Sequence, residues 1–240
     1  MITARLRHRS KRYNHQSIEH KRWILRGLIN NYLVRFFVKF DAVLGLENLP
    51  ARGPAVLFFN HIAFFDPIVV MHASPRNIVP LTKAEGLNNP IIGAFLRLWE
   101  VIPVRRDAID REALRKMAEV LEAGEMILMA PEGTRHAELQ QAREGIAYVA
   151  YRSDVPVIPV AIEGTEGFPT LSLKRWRQAG AKVIIGKPFC FKRLSSRLRP
   201  AHLRQMTDEA MYILAKMLPP HRRGVYADLN SATTETIQFL

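Results

Sequence analysis

Between Lys21 and Phe40 the apolar residues Leu25, Leu28, Ile29, Tyr32, Leu33, Phe36, Phe37 and Phe40 recur at i, i+3, i+4, i+7 spacing. Arg22, Arg26, Asn30, Arg35 and Lys39 fall largely on the other side. The pattern predicts an amphipathic helix with an aromatic-rich apolar face and a basic polar face. Such a helix can lie in a lipid headgroup layer or pack on a domain core. Further along, short apolar runs alternate with helical periodicity. Strands are predicted at 54–59 (PAVLFF), 77–82 (NIVPLT), 101–104, 125–130 (EMILMA), 155–162 (VPVIPVAI) and 181–186 (AKVIIG). Helices are predicted at 90–99, 111–123, 145–152 and 202–218, with Gly124 closing the second of these. Apolar strands alternating with helices argue an α/β fold: a mostly parallel central sheet flanked by helices, preceded by an N-terminal amphipathic helical arm. No repeat or linker interrupts it, so the chain divides into a basic segment 1–40, one domain 41–223 and a tail 224–240 without readable pattern.

Charge adds to this picture. The net +13 is concentrated in two flanks: residues 1–40 carry ten Lys/Arg and one acid, and residues 174–223 carry thirteen Lys/Arg and two acids. Basic flanks attract polyanions, either nucleic acid or anionic lipid. The first sixteen residues are polar and basic, and are expected to be loose. They lack an apolar core and a cleavage site, so they do not read as a secretory signal. No apolar run approaches the ~20 residues of a spanning helix. The single cysteine, Cys190, excludes an internal disulfide and any cysteine-based metal site.

In parallel α/β sheets, ligands bind beyond the carboxyl ends of the strands. Those ends are Asn60–Asp66, Lys83, Arg105–Arg106 and Pro131–Arg135. His61 and Asp66 stand five apart. Five residues turn through about 500° of helix, so the two cannot share a helical face. They meet if His61 precedes a helix and Asp66 lies in its first turn. Asp66 would then accept from Nδ1–H and leave Nε2 free to take a proton. A capping or core histidine is the bland alternative. After EMILMA comes Pro131-Glu132-Gly133-Thr134-Arg135. Pro and Gly set a tight turn, Thr134 and backbone N–H groups present donors, and Arg135 offers a planar fork suited to phosphate. Glu132 can hold Arg135 or a substrate hydroxyl. No G-x-S-x-G elbow is present.

The blocks NHIAFFD, VIPVRR, APEGTR and VPVIPVAI, in that order over roughly residues 45–190, resemble the four blocks of the glycerolipid acyltransferases. The best-known members of that family are the 1-acyl-sn-glycerol-3-phosphate acyltransferases. The resemblance implies that His61 is the general base, with Asp66 its partner. It implies that Arg106 and Arg135, with Glu132, Gly133 and Thr134, bind the phosphate of the acceptor. Lys83 would lie near the reacting centre, and Pro156 would shape the site or the acyl-donor side. Ala130, His136, Arg105, Glu100 and Glu144 depart from residues common in the family, and two of these change charge near the phosphate blocks. They leave the acceptor open.

The resemblance implies transfer of a fatty acyl group from acyl-CoA or acyl carrier protein to the hydroxyl of lysophosphatidic acid, giving phosphatidic acid. A thioester is already activated, so neither an enzyme nucleophile nor a metal or redox cofactor is required. The partners expected are an anionic membrane surface, a lysophospholipid and the acyl donor, and no nucleic acid. The place expected is the cytoplasmic face of a membrane, peripherally. Another lysolipid acceptor, including a lyso-ornithine lipid, is the alternative within the class. A non-catalytic lipid- or nucleic-acid-binding protein is the remote one.

Overall fold

The computed structural model describes residues 13–105 and 110–240. Arg106, and most of the basic N-terminal stretch expected to be loose, lie outside the described residues. The chain opens with α1 (His15–Leu28), which runs through a π-helical stretch, Ile29–Val34, into a last turn, α2 (Arg35–Phe37). Then follow β1 (Phe40–Leu44), β2 (Ala55–Phe59), α3 (Asp66–Ala73), β3 (Ile78–Lys83), α4 (Pro90–Trp99), β4 (Ile102–Val104), α5 (Arg111–Glu122) and β5 (Met126–Met129). The second half contains α6 (Gly145–Ser153), β6 (Val157–Glu163), α7 (Leu173–Trp176), β7 (Ala181–Ile185), β8 (Phe189–Phe191), α8 (Pro200–Met217) and β9 (Ile237–Phe239). Every predicted strand from 54 to 186 has its counterpart, and the helix expected at 90–99 has the observed bounds.

The strands form one sheet in the order β1-β7-β6-β2-β5-β3-β4, with β8 joined to β6 and β9 to β8. The five strands from β6 to β4 are parallel. β7 and β8 run against β6, and β1 follows β7. β7 and β8 pair with successive parts of β6 and are separated opposite Pro159. Gly186 donates to the Pro159 carbonyl at 2.8 Å. Proline has no N–H to return the bond, so the ladder is interrupted there. β1, β8 and β9 escape sequence reading because each is short or half-exposed. β9 lies in the stretch set apart as a tail. It is tied down by Glu209 of α8, whose carboxylate accepts from the N–H groups of Glu235 and Thr236 at 3.0 and 2.9 Å.

Both faces of the sheet are covered. On β2, Val56 and Phe58 join a core with α5, α6 and α8. Ala55, Leu57 and Phe59 join a second core with the arm, α3 and Trp99 of α4. The alternation is the two-residue period of a strand. Burial on both faces is why its sequence reads as an unbroken apolar run.

The arm packs differently from the expectation. Arg22, Arg26 and Asn30, on the side predicted to be polar, face inward. Arg22 is fully buried and donates to the Trp99 carbonyl at 2.9 Å, the Tyr13 hydroxyl at 2.6 Å and the Glu100 carbonyl at 3.4 Å. Arg26 donates to the Ser74 carbonyl, and Asn30 meets His72 Nδ1 at 2.9 Å. Part of the predicted apolar face is exposed instead, with Tyr32 at 62% and Phe36 at 56%. The cause lies in the partners. Trp99, Glu100 and Ser74 close α4 and α3, where carbonyls lack partners within their own helix. Guanidinium groups cap them. Arg22→Met keeps the bulk but strips the donors from buried carbonyls. Urea denaturation should show a loss of about 3 kcal/mol, the scale of breaking a buried charged network.

Candidate active site

β2 ends at Phe59, and the next residue fixes the loop. The Asn60 side chain accepts from Ile162 N–H at 2.8 Å and donates to Ile162 O at 2.9 Å. It thereby continues the β2–β6 pairing past the strand. His61 lies in the loop and Asp66 opens α3. The His61 Nδ1 is 2.9 Å from Asp66 Oδ2. The same oxygen accepts from Ile62 and Ala63 N–H at 2.7 and 2.8 Å. The other oxygen, Oδ1, accepts from the Thr165 hydroxyl at 2.5 Å. Asp66 is fully buried, while the His61 side chain is 17% exposed. A carboxylate only accepts, so the proton of a neutral imidazole sits on Nδ1 and Nε2 carries the lone pair.

Thr165 is the residue that sequence reading missed. It follows β6, the parallel neighbour of β2, and it is fully buried. Gly164 delivers it there. That residue has φ +70°, and a Cβ would stand 2.2 Å from the Gly180 carbonyl, so the turn requires glycine. The available signal was positional: Thr165 sits just beyond the carboxyl end of a central parallel strand.

The turn after β5 presents the second set of groups. Gly133 N–H donates to the Ala130 carbonyl at 3.0 Å, closing a β-turn over Pro131 and Glu132. Thr134 and Arg135 are exposed, and the Arg135 guanidinium lies 5.8 Å from the centre of the Phe64 ring. His136 N–H donates to the His61 carbonyl at 2.8 Å, coupling the turn to the histidine loop. Glu132 points the other way. Its buried carboxyl accepts from Gln140 N–H at 2.9 Å and from the backbone of His61. It braces the histidine from below, and its own side chain does not line the groove. Burial pushes its pKa up to about 7.

A groove of about 1970 Å³ runs between α3, α4, α5 and α6. It exceeds the roughly 300–1,000 Å³ typical of a small-molecule pocket and has room for a long chain. His61, Lys83, Gly133, Thr134 and Arg135 lie along it, and its walls include Ile68, Phe95, Leu96, Leu114, Met117 and Val149. Lys83 is exposed, 3.9 Å from Glu85, a solvent-facing pair of little energy. The structure therefore brings five of the eight sequence-predicted residues to one groove. Asp66 and Glu132 lie behind it, and Arg106 is outside the described residues.

Glu132 generates a pH prediction. Its folded pKa exceeds the ordinary carboxylate value, so the native state holds this proton more tightly than the unfolded chain. The stability this provides is complete below about pH 4.5 and is lost as pH rises through 7. Glu132→Gln removes that slope. Compared by denaturation at pH 5 and pH 8, wild type should lose about 3 kcal/mol relative to the variant.

The segment that carries these residues matches known proteins. The family model described as Acyltransferase matches residues 42–163. The 1-acyl-sn-glycerol-3-phosphate acyltransferase of Bacillus subtilis is 27% identical over 180 residues, covering 73% of this chain and 88% of that protein. The chloroplastic enzyme LPAT1 of Arabidopsis thaliana, of the same name, is 32% identical over 150 residues, covering 60% of this chain but 42% of the longer plant protein. The crystal structure of the 1-acyl-sn-glycerophosphate (LPA) acyltransferase PlsC of Thermotoga maritima superimposes with a TM-score of 0.57 at 20% identity, covering 83% of this chain and 81% of that one, a likeness of fold. With about half of its length, residues 42–163, matched by the family model, this chain belongs to the Acyltransferase family and is an acyltransferase.

Proposed function

We propose that this acyltransferase moves a fatty acyl group from acyl-CoA or acyl carrier protein to the free hydroxyl of lysophosphatidic acid, with His61 as general base. The observation that carries this reading is the His61–Asp66 pair, held at 2.9 Å with Nε2 facing a large apolar groove that has Lys83 and Arg135 along it. Nε2 takes the proton of the acceptor hydroxyl as its oxygen attacks the thioester carbonyl. The tetrahedral intermediate collapses, the C–S bond breaks, and the thiolate leaves and recovers the proton from the imidazolium. Asp66 holds the tautomer and stabilises that imidazolium. Lys83 and the N–H groups of the Gly133–Arg135 turn are candidate donors to the oxyanion, each worth about 10²–10³ in rate. Arg135 pairs with the acceptor phosphate and so fixes the hydroxyl beside His61.

A second acceptor has an observation in its favour. The chain is also 31% identical, over 71% of its length, to a lysophospholipid acyltransferase, LPCAT4, of Xenopus tropicalis, covering 33% of that protein. A larger headgroup would use the same base and groove. Thiol release on incubation with acyl-CoA and either lysophosphatidic acid or its choline-headgroup analogue separates the two. His61→Ala should fold and lose about 10²–10⁴ of the turnover with whichever acceptor serves. Turnover near wild type would end the general-base reading.

Both acceptor and product are amphiphiles, and we propose a seat on an anionic membrane surface, on its cytoplasmic side. Among the described residues, no helix is long and apolar enough to cross a membrane. Ile24, Leu28, Tyr32 and Phe36 form an exposed apolar row on the arm, with Trp23, Lys21 and Arg35 also exposed. α1 packs on α4, whose exposed Ile91 and Ile92 line the groove. The apolar surface therefore continues from the arm to the groove, a path for a lipid entering from the acyl layer. Replacing Trp23, Leu28 and Tyr32 together by serine should lower partitioning onto anionic vesicles at least tenfold in sedimentation assays, with the fold retained. Full retention of binding would place the anchor elsewhere, for instance on the basic 174–223 stretch.

A further inference from the structure

The family match ends at Glu163, yet the chain returns to the site after α8. Two 3-10 turns, Pro220–Arg222 and Gly224–Tyr226, cross the loop that follows the Arg135 turn. Leu139 N–H donates to the Arg222 carbonyl at 2.8 Å, and Val225 N–H to the Leu139 carbonyl at 3.1 Å. Gly224 has φ +49°, and a Cβ there would stand 2.0 Å from the Leu139 carbonyl. This close backbone approach is open to glycine alone.

The Arg222 side chain, 13% exposed, lies between the two halves of the site. Its Nε donates to both carboxylate oxygens of Glu163 at 3.1 and 3.3 Å. One terminal nitrogen donates to the Ala137 carbonyl at 2.8 Å, and the other to Glu166. Glu163 and Glu166 bracket Thr165, the hydroxyl donor to Asp66. Ala137 belongs to the loop that begins at Arg135. One planar fork thus ties the Thr165 turn to the Arg135 loop, a geometry that a lysine point charge cannot reproduce. Its single positive charge also offsets the repulsion between these two nearby carboxylates.

We propose that Arg222 is a positioning residue for acyl transfer, acting through Thr165 and Asp66 to hold the His61 ring. The proposal rests on His61 being the general base, and extends the working site about sixty residues beyond the family-matched segment. The Thr165 hydroxyl reaches Asp66 only if the Glu163–Glu166 turn stays closed. Arg222 keeps it closed from outside the groove, without touching substrate.

The test is a double-mutant cycle on the full chain, using lysophosphatidic acid and a long-chain acyl-CoA and following thiol release. Arg222→Gln should lower kcat about tenfold at unchanged KM, the scale of a small misplacement. Thr165→Val should do the same. The double variant should lose no more than Thr165→Val alone, because the two act in series. In parallel, the downfield Nδ1 proton of His61, assigned by its absence in His61→Ala, should shift in Arg222→Gln. Losses that multiply in the double variant, a folded Arg222→Gln with wild-type kcat, or an unmoved His61 proton would each overturn the proposal. If wild type releases no thiol, the reading with this acceptor and acyl-CoA fails, and the His61 resonance still decides whether Arg222 positions the ring. Should Arg222→Gln not fold, Glu166→Gln removes one arm of the clasp, and a normal kcat and resonance there would refute the proposal.

Discussion

The site is organised around one buried carboxylate. Asp66 is fully enclosed, and an isolated carboxylate in that position would be expelled or neutralised. It stays because four donors converge on it: the His61 ring, two backbone N–H groups of the preceding loop and the Thr165 hydroxyl. Each donor imposes a constraint. The loop must curl back onto the first residue of α3. The neighbouring strand must end in a tight turn at Gly164. The imidazole must present Nδ1 inward, which leaves Nε2 outward. The orientation of the imidazole is therefore a by-product of satisfying a charge, which makes it rigid without any contact from substrate.

A similar logic of satisfied polar groups governs the arm. Its arginines cap the carbonyl ends of α3 and α4, and the exposed aromatics are what remains on the other side. The arm is thus both a structural clamp and the bearer of an apolar row beside the groove. A helix that turns two of its arginines inward and aromatics outward is unfavourable in water alone. It becomes reasonable beside a bilayer, where the outward row is the buried one. Glu132 completes the pattern. It stands in the turn that presents Arg135, but turns its carboxyl under His61 and so links the two motifs through the backbone.

Much was legible from sequence because it depends on local periodicity and chemistry. The unbroken apolar runs of β2, β5 and β6 mark a sheet buried on both faces. Asn89 and Pro90 at the start of α4, and the end of its periodicity, give the helix its bounds. Asp66 in the first turn of α3 follows from a spacing that no shared helical face allows. Arg135 on an exposed turn follows from Pro131 and Gly133. What was not legible depends on partners far away in the chain. Thr165 has no flanking motif and gains its role from lying beside β2. Arg22 reads as a surface cation until unpaired helix-end carbonyls are placed against it. Arg222 sits in a basic stretch that looks like solvated charge.

The sequence by itself determined the fold class, the sheet and the pairing of a histidine with a carboxylate across a loop, because these follow from spacing, burial pattern and residue chemistry within short windows. Only the tertiary structure decided which groups of the arm turn inward, which hydroxyl completes the Asp66 shell and how the C-terminal segment packs on the loop after Arg135. Those outcomes turn on where buried carbonyls and carboxylates find their donors. That pairing is settled between segments up to about a hundred residues apart, where no local pattern carries the information.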